Sequence, residues 1–141
     1  MRTLLLFLHV LAAVLFIGPT TVASSRFAAH ARQRQLPEAA AANRTTRIYG
    51  WATSVVGAVG VALAVRSSLF GEIWVDTALL LFLVSVAVLL AVHLPAQRRT
   101  LDLLWEGAEV PAALLVRLRA SAGGYALLWV VVLWLMIAKP R

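Results

Sequence analysis

Long apolar runs alternate with short charged clusters along this chain. Arg2 and Arg26 enclose an uncharged run from Thr3 to Ser25. Arg47 and Arg66 enclose Ile48–Val65, Asp76 and Arg98 enclose Thr77–Gln97, and Arg119 and Lys139 enclose Ala120–Ala138. Each run is close to the roughly 20 apolar residues that a helix needs to cross the hydrocarbon core of a bilayer. The runs are continuously apolar, whereas the strands of a membrane barrel alternate over segments of about ten residues. The pattern predicts an all-α, polytopic membrane protein. It is a four-transmembrane-helix bundle forming a single domain over residues 1–141, with spans at about 3–25, 48–65, 77–97 and 120–138.

The polar connections carry structure of their own. "RFAAHARQRQ" extends helix 1 with good helix formers, and "LPEAAAANRTTR" starts a new helix, with Pro37 suited to a first turn and Glu38 favourable near a helix N-terminus. Helices 1 and 2 are therefore expected to form a long cytoplasmic hairpin. "RRTLDLLWEGAEVPAALLVRLRA" mixes charges with leucines and a tryptophan. It reads as an interfacial amphipathic segment between helices 3 and 4, made of short helices broken at Gly107 and Pro111. The outer connection "RSSLFGEIWVD" is short and implies a tight hairpin of helices 2 and 3.

Composition supports a membrane protein. The chain is 62% hydrophobic and 13% charged, against roughly 25% charged residues in soluble domains. The first apolar run is longer than the 7–15 residues or so of a signal-peptide core and continues into a basic segment, so it reads as a retained span. Cysteine is absent, which excludes disulfides and thiolate metal sites. The net charge of +7 would suggest nucleic acid in a soluble protein. Here the arginines lie between apolar runs, where they act as topology and headgroup signals, so no nucleic-acid partner is expected. Nine basic residues lie in the two longer connections, against four in the remaining flanks. This puts both longer connections in the cytoplasm and both termini outside. With the Ala, Val, Leu and Arg bias, the expected location is a bacterial cytoplasmic (inner) membrane. Arg26, Arg32, Arg34, Arg44 and Arg47 are then candidates for anionic lipid headgroups.

Helix 2 carries Gly50, Ser54, Gly57, Ala58 and Gly60, small residues that let backbones approach closely, either within the bundle or at a homodimer seam. Gly18-Pro19 is expected to kink helix 1 and free a carbonyl, with Thr20 and Thr21 placed to re-satisfy freed groups. Tyr49, Trp51, Trp74 and Trp134 lie near span ends, as interfacial anchors do.

No Asp, Glu, Lys or Arg falls inside the four runs, which disfavours a transporter or channel built on ionisable groups at depth. Cu(I) handling is disfavoured too, because only Met1 and Met136 offer soft ligands. The intramembrane polar candidates are His9 and His93, each able to bind haem iron or a quinone, or to hydrogen-bond a neighbouring helix. His9 lies about 9 Å below the outer end of its span and His93 about 6 Å above the inner end of its own, at 1.5 Å per residue. A vertical separation of about 15 Å makes them poor partners on one iron. His9 shares a helix face with Ala13, Phe16 and Thr20, a face suited to a flat ring. His93 shares one with Ser85 and Leu89. His30, in the basic extension, is expected to be solvated.

"LHVLAAVLFIGPTTVASSRFAAHAR", "RTTRIYGWATSVVGAVGVALAV" and "HLPAQRRTLD" together resemble the DUF2269 group of small bacterial membrane proteins. The resemblance covers roughly residues 4–103 and rests on His9 in "LHVL", Gly18-Pro19 with "TVASS", the "RIYG" entry to helix 2, and Pro95 with "QRR". It implies a four-helix fold and attaches no catalytic motif. Looser kinship with copper-resistance CopD-like and haem-bearing four-helix proteins implies a redox or metal role at His9. One expectation is a hydrophobic cofactor, haem b or a quinone, bound within the bundle by His9, with Phe16 and His93 as further candidate contacts. The other is a non-catalytic accessory or scaffold subunit, acting as a homodimer or beside a membrane-complex partner, in which His9 only joins helices.

Overall fold

The computed structural model describes residues 2–138, so the expected boundary at Lys139 lies outside the described residues. The elements are α1 (Arg2–Arg32), α2 (Leu36–Arg66), α3 (Ile73–Ala87), a π-helical turn (Val88–His93), α4 (Leu94–Trp105) and α5 (Ala112–Ala138). The third helix runs unbroken from Ile73 to Trp105 through the π turn, giving four helices long and apolar enough to cross a membrane. Within their most apolar stretches only 17% to 28% of residues are buried inside the chain, so most of the apolar surface has only lipid to cover it. Leu4, Phe7, Val14, Leu80 and Leu127 are among the exposed apolar side chains that form this coat.

Every helix extends past its apolar run at the arginine-rich end, because Ala, Arg, Gln and Leu sustain helical hydrogen bonding whether or not lipid surrounds them. Here lies a correction to the sequence expectation. The amphipathic segment between helices 3 and 4 does not form separate surface-lying helices. It continues helix 3 as α4, and the chain breaks only between Trp105 and Ala112, with Gly107 at a left-handed φ of +69°. The apolar side of α4 is used inside the protein. Ala96 and Leu104 join Phe27, Ala28 and Ala31 of α1, Ala39 of α2 and Leu118 of α5 in one buried cluster. This small core holds the arginine-rich ends of all four long helices together.

The α1–α2 connection is a tight turn. Gln35 N–H donates to His30 O (3.0 Å), and Arg34 takes the left-handed φ of +55° that glycine usually fills at such a helix end. Arg34 also donates to Ala108 O (3.1 Å), tying this turn to the α4–α5 loop. His30 is half-buried rather than fully solvated, with its Nδ1 at 2.8 Å from Gln35 Oε1.

Pro19 does not interrupt α1. Thr20 and Thr21 hydroxyls donate to Phe16 O and Ile17 O, both at 2.8 Å, so the threonines after the proline bond back to the turn before it. Pro95 has a larger effect. It has no N–H to offer, and its ring crowds the carbonyl four residues back. The chain widens immediately before it, and Leu94 N–H reaches Leu89 O, five residues back. The glycines of α2 face inward. A Cβ added at Gly50 would lie 2.7 Å from Leu89 Cδ2, at Gly57 2.4 Å from Phe82 Cζ, and at Gly60 2.9 Å from His9 Cε1. Those three small residues are therefore used for packing within the bundle.

Candidate functional site

Two polar centres lie in the bundle, one toward each end. Nearer the arginine-rich end, four side chains form a one-way hydrogen-bond chain. Asn43 Nδ2 donates to Gln97 Oε1 (2.9 Å). Gln97 Nε2 donates to His93 Nε2 (2.9 Å) and leans toward Thr46 Oγ1 (3.5 Å). Because His93 Nε2 accepts, its proton resides on Nδ1, which donates to Ser121 Oγ (2.7 Å). Ser121 completes the chain by donating to Leu118 O (3.1 Å). His93, Gln97 and Thr46 are fully buried. The π turn ahead of Pro95 and the i, i+4 spacing of His93 and Gln97 put both on the inner face. The chain joins α2, α4 and α5 and uses both ring nitrogens of His93.

His9 stands apart, toward the opposite end. It is 9% exposed, and its Nδ1 lies 3.1 Å from Val56 O. A carbonyl only accepts, so Nδ1 carries the proton and Nε2 keeps its lone pair. Gly60, one turn beyond Val56, is what lets the imidazole reach the α2 backbone, since any side chain there would meet the ring. Beside His9 is a cavity of about 180 Å³ with a mostly apolar wall, lined by His9, Gly57, Gly60, Phe82 and Trp129, among others. Residues of α1, α2, α3 and α5 and of the short loop between α2 and α3 surround it. Trp74, expected only as an interfacial anchor, forms part of its wall. Trp51 and Trp134, by contrast, are exposed.

Three buried polar atoms lack hydrogen-bond partners among the described residues: Ser67 Oγ, Trp129 Nε1 and Tyr125 Oη. Ser67 and Trp129 are on the cavity wall. Tyr125 faces Thr20, Thr53 and Trp129 without completing a bond to any of them, and its ring meets Trp129 edge-on at 6.3 Å between centroids.

The sequence candidates are therefore not brought into one site. His9 lines the cavity, whereas His93 and Phe16 do not. Phe16 packs against Tyr49, with ring centroids 6.4 Å apart. No group of three or more His, Cys, Asp or Glu able to hold a metal ion occurs among the described residues. Arg26, Arg32, Arg34, Arg44 and Arg47 are all exposed around the α1–α2 hairpin. Ser67, Phe82 and Trp129 were not expected at a site. Packing of α3, α5 and the α2–α3 loop against His9 brings them there, and packing between elements is not written in any one span.

Four apolar helices with exposed apolar side chains along every span define a polytopic helical membrane protein. The sequence matches, over residues 3–140, the family described as "Predicted integral membrane protein (DUF2269)", and the chain belongs to it. No curated protein and no solved structure matches it.

Proposed function

We propose that this integral membrane protein binds a hydrophobic ring-bearing cofactor of the quinone type in the cavity beside His9. One observation carries the reading: an imidazole oriented by Val56 O lines an apolar space of about 180 Å³. An engineered apolar cavity of about 150 Å³ accepts benzene, so this one suits a single six-membered ring whose tail runs out between the helices into lipid. Haem b fits poorly. Pockets for much smaller, drug-sized ligands already occupy about 300–1,000 Å³, and His93 has no nitrogen left for iron. The expectation of iron at His9 therefore gives way to the quinone half of the same expectation.

The five exposed arginines support a second, compatible role in holding anionic lipid at the cytoplasmic face, each worth about 1 kcal/mol near such a surface. The test of the main reading is to purify wild type and His9→Ala, extract lipophilic compounds and record oxidised and reduced spectra. A quinone recovered with wild type and lost with His9→Ala is the expected result. A haem spectrum would refute the size argument. Recovery of neither would leave the scaffold reading in its place.

A further inference from the structure

The hydrogen-bond polarity of His9 constrains the ligand further. Val56 O can only accept, so it holds the imidazole as the Nδ1–H tautomer. The ring cannot turn to offer Nε2–H without giving up that bond, and Gly60 holds Cε1 in close contact with the helix backbone. A ligand that reaches Nε2 from the cavity therefore meets an acceptor. A quinone carbonyl is also an acceptor and would set two lone pairs against each other. A phenolic hydroxyl donates. A ring with a hydroxyl group satisfies Nε2, whereas a ring with only carbonyls leaves it unpaired.

From this pattern we infer that the cavity selects the reduced, hydroquinone form of its ring ligand, with the ligand O–H donating to His9 Nε2. The inference rests on the ring-binding reading above and adds the ligand's oxidation state. An unpaired buried acceptor opposite a carbonyl is penalised by the mechanism that lets hydrogen-bonding sites reject analogues lacking the matching group.

Three probes of similar shape separate the possibilities: p-xylene, hydroquinone and p-benzoquinone. Each is measured by equilibrium dialysis against the full chain in lipid nanodiscs, with empty discs subtracted. The absence of cysteine removes the thiol that benzoquinone would otherwise alkylate. The readout is the hydroquinone-to-benzoquinone affinity ratio in wild type divided by that in His9→Phe, which cancels differences in probe hydration. A quotient of tenfold or more is expected, with p-xylene still bound by the variant as proof that the cavity survives. His9→Gln, whose amide both donates and accepts, should bring the ratio close to the His9→Phe value. If wild type binds all three but the quotient is near one, the selection is overturned while the ring site stands. If none of the three binds wild type above empty discs, the ring site falls and the selection with it.

Discussion

Replacing His93 and Gln97 singly and together tests whether the buried polar chain is a coupled unit. His93→Leu keeps roughly the same volume and removes the acceptor for Gln97 Nε2, whose alternative, Thr46 Oγ1, is at 3.5 Å. Ser121 retains its bond to Leu118 O and loses only an incoming donor. The main cost is one orphaned amide N–H. That is worth about 1–3 kcal/mol in a dry interior, but interhelical bonds within membranes average only about 0.6 and reach about 1.7 kcal/mol. About 1–1.5 kcal/mol is therefore expected for His93→Leu. Gln97→Leu orphans the Asn43 amide and also deprives His93 Nε2 of its donor, so about 1.5–2.5 kcal/mol is expected on the same scale. In the double variant only Asn43 is left unpaired. Its destabilisation should fall below that of Gln97→Leu alone, to about 1–1.5 kcal/mol, giving a coupling of about 2 kcal/mol. The assay is reversible unfolding in mixed detergent micelles as the SDS fraction rises, followed by far-UV circular dichroism. Additivity of the two single changes would refute the one-way chain.

Gly57→Ala should destabilise by about 1–3 kcal/mol through overpacking, since its Cβ would lie 2.4 Å from the Phe82 ring, and Phe82→Leu should recover part of that in the same unfolding assay. Changing Arg26, Arg32, Arg34, Arg44 and Arg47 together to Gln should reduce the phosphatidylglycerol and cardiolipin that co-purify, as read by mass spectrometry of extracted lipid. Unchanged retention would exclude the headgroup role. A single cysteine at position 34 reports orientation cleanly, because the chain has none of its own. It should resist a membrane-impermeant maleimide in intact cells and react after lysis, and labelling in intact cells would reverse the topology.

The four spans were legible because a helix in lipid must be apolar along its whole length, a property of each segment alone. The same property misled at the helix ends. Hydropathy marks where lipid stops and says nothing about where backbone hydrogen bonding stops, so α4 looked like a separate surface segment when its Ala96 and Leu104 belonged to a buried core with Phe27 and Leu118. Gln97, taken as the last residue of a span, is the hub of the buried chain, a role visible only once Asn43 is set opposite it. His9 was recognisable as an intramembrane polar group. Its partner is a backbone carbonyl 47 residues away, reached because Gly60 has no side chain. The glycine was noticed as a packing residue, but which neighbour it admitted depended on the register of α1 against α2. Tyr125 and Trp129 gave no signal, since aromatic residues in an apolar run are ordinary lipid or core residues until their polar atoms prove to be buried.

The state of the His9 ring is the most direct test of the site. In protein selectively labelled with ¹⁵N-histidine and assigned through His9→Phe, long-range proton–nitrogen correlation in micelles separates a protonated from a bare imidazole nitrogen. The account requires Nδ1 protonated and Nε2 bare in the free protein, with the Nε2 resonance moving when hydroquinone is added and staying put with p-benzoquinone at the same concentration. An Nε2-protonated ring, or an Nε2 signal indifferent to hydroquinone, would contradict it.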